Sequence, residues 1–154
     1  MFRNFTKIAL SLILLFGFVG AVQAEMTREE AAIKFRRSAL TTMSWYFGQM
    51  ARVTKGDAPY DKAAFAKNAE YVAFLSKLPK EGFIPGTDKG ETKAKPEIWT
   101  DADKFKEAYD RLVNESAKLA EVAKDGNFDS IKEQFGKVQK ACKSCHEDFK
   151  KKAD

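Results

Sequence analysis

Ile131, Phe135, Val138, Cys142, Cys145 and Phe149 follow one another at intervals of four, three, four, three and four residues. That spacing keeps one face of a helix apolar over about five turns. Such a helix gains its stability by burying the stripe against elements of matching pattern. The tail therefore dictates the kind of fold more strongly than bulk composition does. The stripe also has an oddity: its fourth and fifth positions are the only cysteines of the chain.

Matching partners precede it. "TREE" at 27–30 reads as a capping box, Thr27 with Glu30 three residues on. The helix it opens carries Ile33, Leu40, Met43, Phe47 and Met50 on one stripe and runs to about Arg52. Gly56 and Pro59 break it, and Asp61 caps a second helix that ends near Leu78, ahead of Pro79. Its apolar face is Phe65, Val72 and Leu75. Residues 79–99 hold three prolines and three glycines and have no period, so they read as a long loop. "TDAD" at 100–103 begins a third helix with Phe105, Leu112 and Leu119 inward, closed by Gly126 in a left-handed conformation. The fourth helix runs from about Asp129 into the tail. No stretch alternates convincingly with period two, so the expected class is all-α, an antiparallel four-helix bundle.

The N-terminus differs in kind. Arg3 and Lys7 precede an apolar run from Ile8 to Gly20, and Val22-Gln23-Ala24 sets small residues where a signal peptidase reads them. The run falls short of the roughly 20 residues of a spanning helix. Residues 1–24 are therefore expected to be a secretory signal peptide. Residues 25–154 are expected to form one domain, exported to the periplasm and free of the membrane after cleavage. The chain has 27 basic and 22 acidic residues. Arg3 and Lys7 leave with the leader, so the surplus that remains is small and interspersed. That excludes a nucleic-acid footprint, which needs clustered cations.

Cys142-Lys143-Ser144-Cys145-His146 places the only histidine directly after the second cysteine. A thiol–disulfide redox motif opens a helix after a strand, and no strand precedes this one. Structural zinc takes four ligands, and only three Cys and His side chains exist in the chain. C-x-x-C-H is the attachment signature of c-type haem. Two thiols one helical turn apart add across two vinyl groups on one porphyrin edge. The next residue turns its imidazole under the ring toward iron. Cys142 and Cys145 sit on the core stripe, and His146, four residues after Cys142, is expected to point into the bundle with them.

The motif lies at the C-terminal end, so no downstream methionine can return to the iron. In this the chain resembles the cytochrome c′ family, four-helix-bundle proteins with one covalently attached haem c. The likeness spans nearly all of the mature sequence. It rests on "AAIKFRRSALTTMSWYFGQM", "KGDAPYD", "GFIPGTDKG", "KPEIWTDADKF" and "CKSCHEDFKKK", in that order.

The resemblance implies thioethers at Cys142 and Cys145 and an axial iron bond from His146. It places Arg36 and Arg37 near the haem propionates, Thr87 and Asp88 at the haem periphery, and Leu40 on the iron face opposite His146. The family often has glutamine at position 37 and arginine at position 150, where this chain has Arg37 and Lys150. Arg36 also stands out without the resemblance, because a cation on a core stripe either snorkels at the bundle end or meets an anion. The "PGTD" of 85–88 is equally a turn sequence. The function implied is binding of small diatomic ligands, NO and CO, at a high-spin five-coordinate iron, with or without one-electron transfer to an unknown redox partner. The alternative is a six-coordinate electron-transfer cytochrome with Met43 as sixth ligand, and a core role explains Met43 equally well. No general base stands out, so an enzyme is not expected. Family members are often dimers through the first two helices, where Trp45 and Tyr46 lie off the stripe.

Overall fold

A computed structural model describes residues 25–152. The leader expected at 1–24 lies outside the described residues. Five helices are present: α1 (Arg28–Lys55), α2 (Lys62–Leu75), the short α3 (Glu97–Thr100), α4 (Ala102–Asp125) and α5 (Phe128–Phe149). The four long ones form the bundle, and no strand pairing beyond one isolated bridge occurs among the described residues.

The helix ends follow the local chemistry. The Thr27 hydroxyl accepts from the Glu30 amide at 3.2 Å, and the Glu30 carboxylate accepts from the Thr27 amide at 2.9 Å. This is a complete capping box that satisfies two orphan donors. Asp61 and Asn127 cap α2 and α5 by accepting from the amides of Ala64 and Ser130. Gly126 closes α4 at φ 81°, a left-handed value that glycine adopts at no steric cost.

Three boundaries differ from expectation. α1 runs past Arg52 to Lys55, where Gly56 caps it. α2 stops at Leu75, short of Leu78, because the chain end is captured: the Tyr109 hydroxyl donates to the Ser76 carbonyl at 2.6 Å. Residues 79–99 are also more ordered than their prolines suggest. Pro79–Gly82 is a 3₁₀ turn, and α3 begins within the last residues of the segment. Both short elements are set by tertiary contacts that no local period encodes.

Helix α4 packs along α5 and α2, and α2 packs along α1. α1 then rests on the 3₁₀ turn. A Cβ on Gly82 would come within 2.6 Å of the Ala32 carbonyl oxygen, so only glycine fits that crossing. α1 and α5 lack the close backbone packing of the other neighbours. They meet through the stacked rings of Phe47 and Phe135, 4.3 Å between centroids. Because α1 leans on α2 and the turn, its buried set is Ile33, Arg36, Ala39, Met43 and Met50. Leu40 and Phe47, expected fully inside, are half-buried and pack against the core from its edge.

The core has two parts. The larger joins Met43, Met50, Phe65, Leu119, Ile131 and Val138 with their neighbours. The smaller is built by the loop and the ends of α4 and α5, from Ala94, Ile98, Phe105, Tyr109 and Phe149.

Candidate functional site

Cys142 and Cys145 lie one turn apart on α5, and both are half-buried. Cys142 borders the larger core, with Leu40 of α1 against the same cluster. Cys145 borders the smaller core, as do Phe83 and Trp99. The motif thus sits where the two cores meet, beside the poorly packed α1–α5 side of the bundle.

Both thiols are free. Burial pushes the Cys142 thiol up, and it pushes Cys145 up to about 11, with the charges of Cys142 and Asp148 adding to the effect. Thiols held protonated in this way are poor redox nucleophiles. Among the described residues no three Cys, His, Asp or Glu side chains gather as a metal site.

His146 corrects one expectation. It is exposed, not turned into the core. One residue past Cys145 is about 100° around the helix, which carries the imidazole off the stripe and onto its flank. Partial burial, then the charge of Lys150, pushes its pKa down. The neutral imidazole this favours is the metal-ligating form.

The 76–101 segment grips both sides of the crevice. On the α1 side the grip is Arg36, only 2% exposed. Its Nη1 donates to the Gly82 carbonyl at 2.7 Å and to the Thr87 hydroxyl, and its Nη2 donates to the Thr87 carbonyl and to the Thr92 hydroxyl at 2.7 Å. The guanidinium lies 4.6 Å from the Phe83 ring centroid and 5.9 Å from that of Trp99. Burial this complete rules out snorkelling. Desolvation pushes the Arg36 pKa down, and none of the four acceptors is a carboxylate. On the α5 side the Lys95 ammonium donates to the Glu147 and Asp148 carbonyls, capping the helix end. The Lys95 amide donates to the Phe149 carbonyl, and the Lys151 amide donates to the Lys93 carbonyl.

The other expected residues are less central. Thr87 is fully buried, and its hydroxyl serves Arg36 and the Ile84 carbonyl. Asp88 is half-buried on a shallow depression that Trp99 also lines. Arg37 is exposed and meets Glu91 through its carbonyl at 2.8 Å and its carboxylate at 3.7 Å. Met43 is a core side chain. Lys150 is exposed and bridges to Ala94 through the backbone.

The Arg36 hub gives a direct test. Arg36→Met keeps length and apolar bulk but strands two buried carbonyls. We expect a loss of about 3 kcal/mol in urea denaturation, since orphaned buried acceptors cost about 1–3 kcal/mol each. Arg37→Ala removes an exposed pair and is expected to cost less than about 1 kcal/mol.

A family model described as "Cytochrome C'" matches residues 31–150. The chain belongs to the cytochrome c′ family. Among curated relatives, cytochrome c′ of Rubrivivax gelatinosus is 45% identical over 122 residues, 79% of this chain and 95% of the relative. Among solved structures, cytochrome c prime from Shewanella frigidimarina superposes with a TM-score of 0.80 at 38% identity, over 83% of this chain and all of that one. A nitric oxide complex of a leucine-to-alanine mutant of the Alcaligenes xylosoxidans protein superposes with a TM-score of 0.78 at 42% identity, over 84% of this chain and all of that one.

Cytochrome c′ proteins carry covalently attached haem c. The site residues fit that group on three counts. Two protonated thiols lie one turn apart at a half-buried seam. The chain offers one imidazole, His146, directly after the second thiol, and an iron that brings four nitrogens of its own needs such an axial ligand. The buried Arg36 charge is hydrogen-bonded to neutral acceptors only, and a haem propionate nearby would balance it. Sequence reasoning missed Thr92, Lys95 and Trp99. The signal for Trp99 was present: a tryptophan inside the loop that otherwise looks solvated.

Proposed function

We propose that this chain is a periplasmic haem protein that keeps one axial position of its iron open for a diatomic ligand, NO or CO, and that also serves as a one-electron carrier. In this reading residues 1–24 are a removed signal peptide and residues 25–154 the working domain. Cys142 and Cys145 form the thioethers, and His146 is the axial ligand.

One observation carries the reading. The backbones of α1 and α5 approach each other less closely than those of the bundle's other neighbours, and Cys142 of α5 and the apolar Leu40 of α1 lie half-buried against the same core cluster. The haem, once attached, supplies an iron that binds diatomic ligands and cycles between ferric and ferrous states. The chain's residues supply the rest. The two cysteines fix the plane along α5. His146, desolvated enough to favour its neutral form, offers a lone pair on one face. Leu40 and Met43 offer no hydrogen-bond donor on α1, so the opposite face favours NO and CO over O₂, which wants one. Solved relatives include nitric oxide complexes of cytochrome c prime from Alcaligenes xylosoxidans.

The test is an optical titration of the ferrous protein. The expected result is a broad high-spin spectrum that sharpens and shifts with CO and with NO. A sharp, split low-spin spectrum indifferent to CO would overturn it and put Met43 in the sixth position.

A further inference from the structure

Two buried side-chain polar atoms have no hydrogen-bond partner among the described residues: the indole Nε1 of Trp99 and the hydroxyl of Ser116. Native proteins seldom leave such groups unpaired. Ser116 lies on the core face of α4. Trp99 is different. Its ring lies 5.9 Å from the Arg36 guanidinium carbon and 6.4 Å from the Phe83 ring, and it packs on the same small core as Cys145.

An indole N–H only donates. Arg36 has five N–H groups, of which the four on Nη1 and Nη2 bind carbonyls and hydroxyls and leave Nε–H over. An unspent buried indole N–H thus belongs to a ring that lies beside a buried positive charge with no carboxylate on it. The common complement of the two is an anion with two acceptor oxygens. The shallow depression beside Trp99, about 220 Å³, is lined by Asp88, yet that carboxylate accepts from neither group.

We propose that Trp99 is a haem-propionate anchor, its Nε1–H donating to a propionate carboxylate whose charge Arg36 balances. This rests on the reading of Cys142 and Cys145 as haem attachments. It adds a residue that tethers the edge of the macrocycle to the loop, while the thioethers tether it to α5. Trp99 touches the cofactor and performs no chemistry, so it is a positioning residue.

The holoprotein tests it in a Trp45→Phe background, because Trp45 is 66% exposed and its loss leaves Trp99 as the only indole. Ultraviolet resonance Raman of that protein is expected to report a hydrogen-bonded indole N–H. Trp99→Phe is expected to shift the haem propionate bending band in the visible Raman spectrum, with haem content and the CO-bound optical spectrum retained. Replacing the indole by benzothienylalanine, which keeps the shape and has sulfur for N–H, should give the same shift if Trp99→Phe folds poorly. A free-indole signal in the parent protein overturns the proposal. So does a bonded indole with an unmoved propionate band in either replacement, which would assign the N–H to a water. Failure to retain any covalent haem in the parent would instead defeat the attachment reading, and haem content separates the two.

Discussion

A chain with Cys142→Ser and Cys145→Ser should lose all of its haem on acid–acetone extraction, while the parent keeps the pigment on a denaturing gel. A thioether survives both treatments, and His146 coordination survives neither. The single variants are expected to hold haem by one thioether in reduced yield. The double variant should also be much less stable than the parent. Leu40, Phe47 and Cys142 are half-buried against the larger core, and Phe83, Trp99 and Cys145 against the smaller. Removing a large apolar plate from that seam leaves side chains without partners, which costs about 24 cal/mol per Å³ of void that fails to collapse. The thermal midpoint is therefore expected to fall by many degrees. Covalent haem in the double variant, or an unchanged midpoint, would refute the attachment reading.

The helices were legible because their signals are local. Thr27, Asp61, Gly56 and Gly126 act within a few residues of themselves, and each performs the predicted cap. The cysteine stripe was legible for the same reason. The loop was not. Arg36 reaches Gly82, Thr87 and Thr92 across roughly fifty residues of chain, and Lys95 reaches the end of α5 across a similar distance. No periodicity encodes such pairings. The exposed position of His146 was misread because a spacing of four from Cys142 reads as the buried face, while Cys142 itself is only half-buried at that face's edge. Leu40 and Phe47 were placed too deep because a stripe's period does not say how closely each part of it is covered by a neighbour.

Leu40 is the residue with the largest expected kinetic effect. In the proposed function its side chain stands on the face opposite His146, anchored on α1 over Met43. A ligand approaching that face must first displace it. The leucine cannot withdraw into the bundle, because it already packs against the buried core cluster. Displacement therefore adds steric work to the barrier. Leu40→Ala removes three carbon atoms from a half-buried position and leaves Met43 in place. CO association, measured by flash photolysis of the ferrous protein, is expected to speed up more than tenfold, equivalent to about 1.4 kcal/mol off the barrier. Stability is expected to fall by about 1–2 kcal/mol, below the usual loss for a fully buried leucine because part of this one already faces the crevice. The rate should rise without a matching rise in dissociation, since a steric gate opposes entry more than it holds the bound ligand. If CO association stays within twofold of the parent, Leu40 does not gate the site and the approach to iron runs elsewhere.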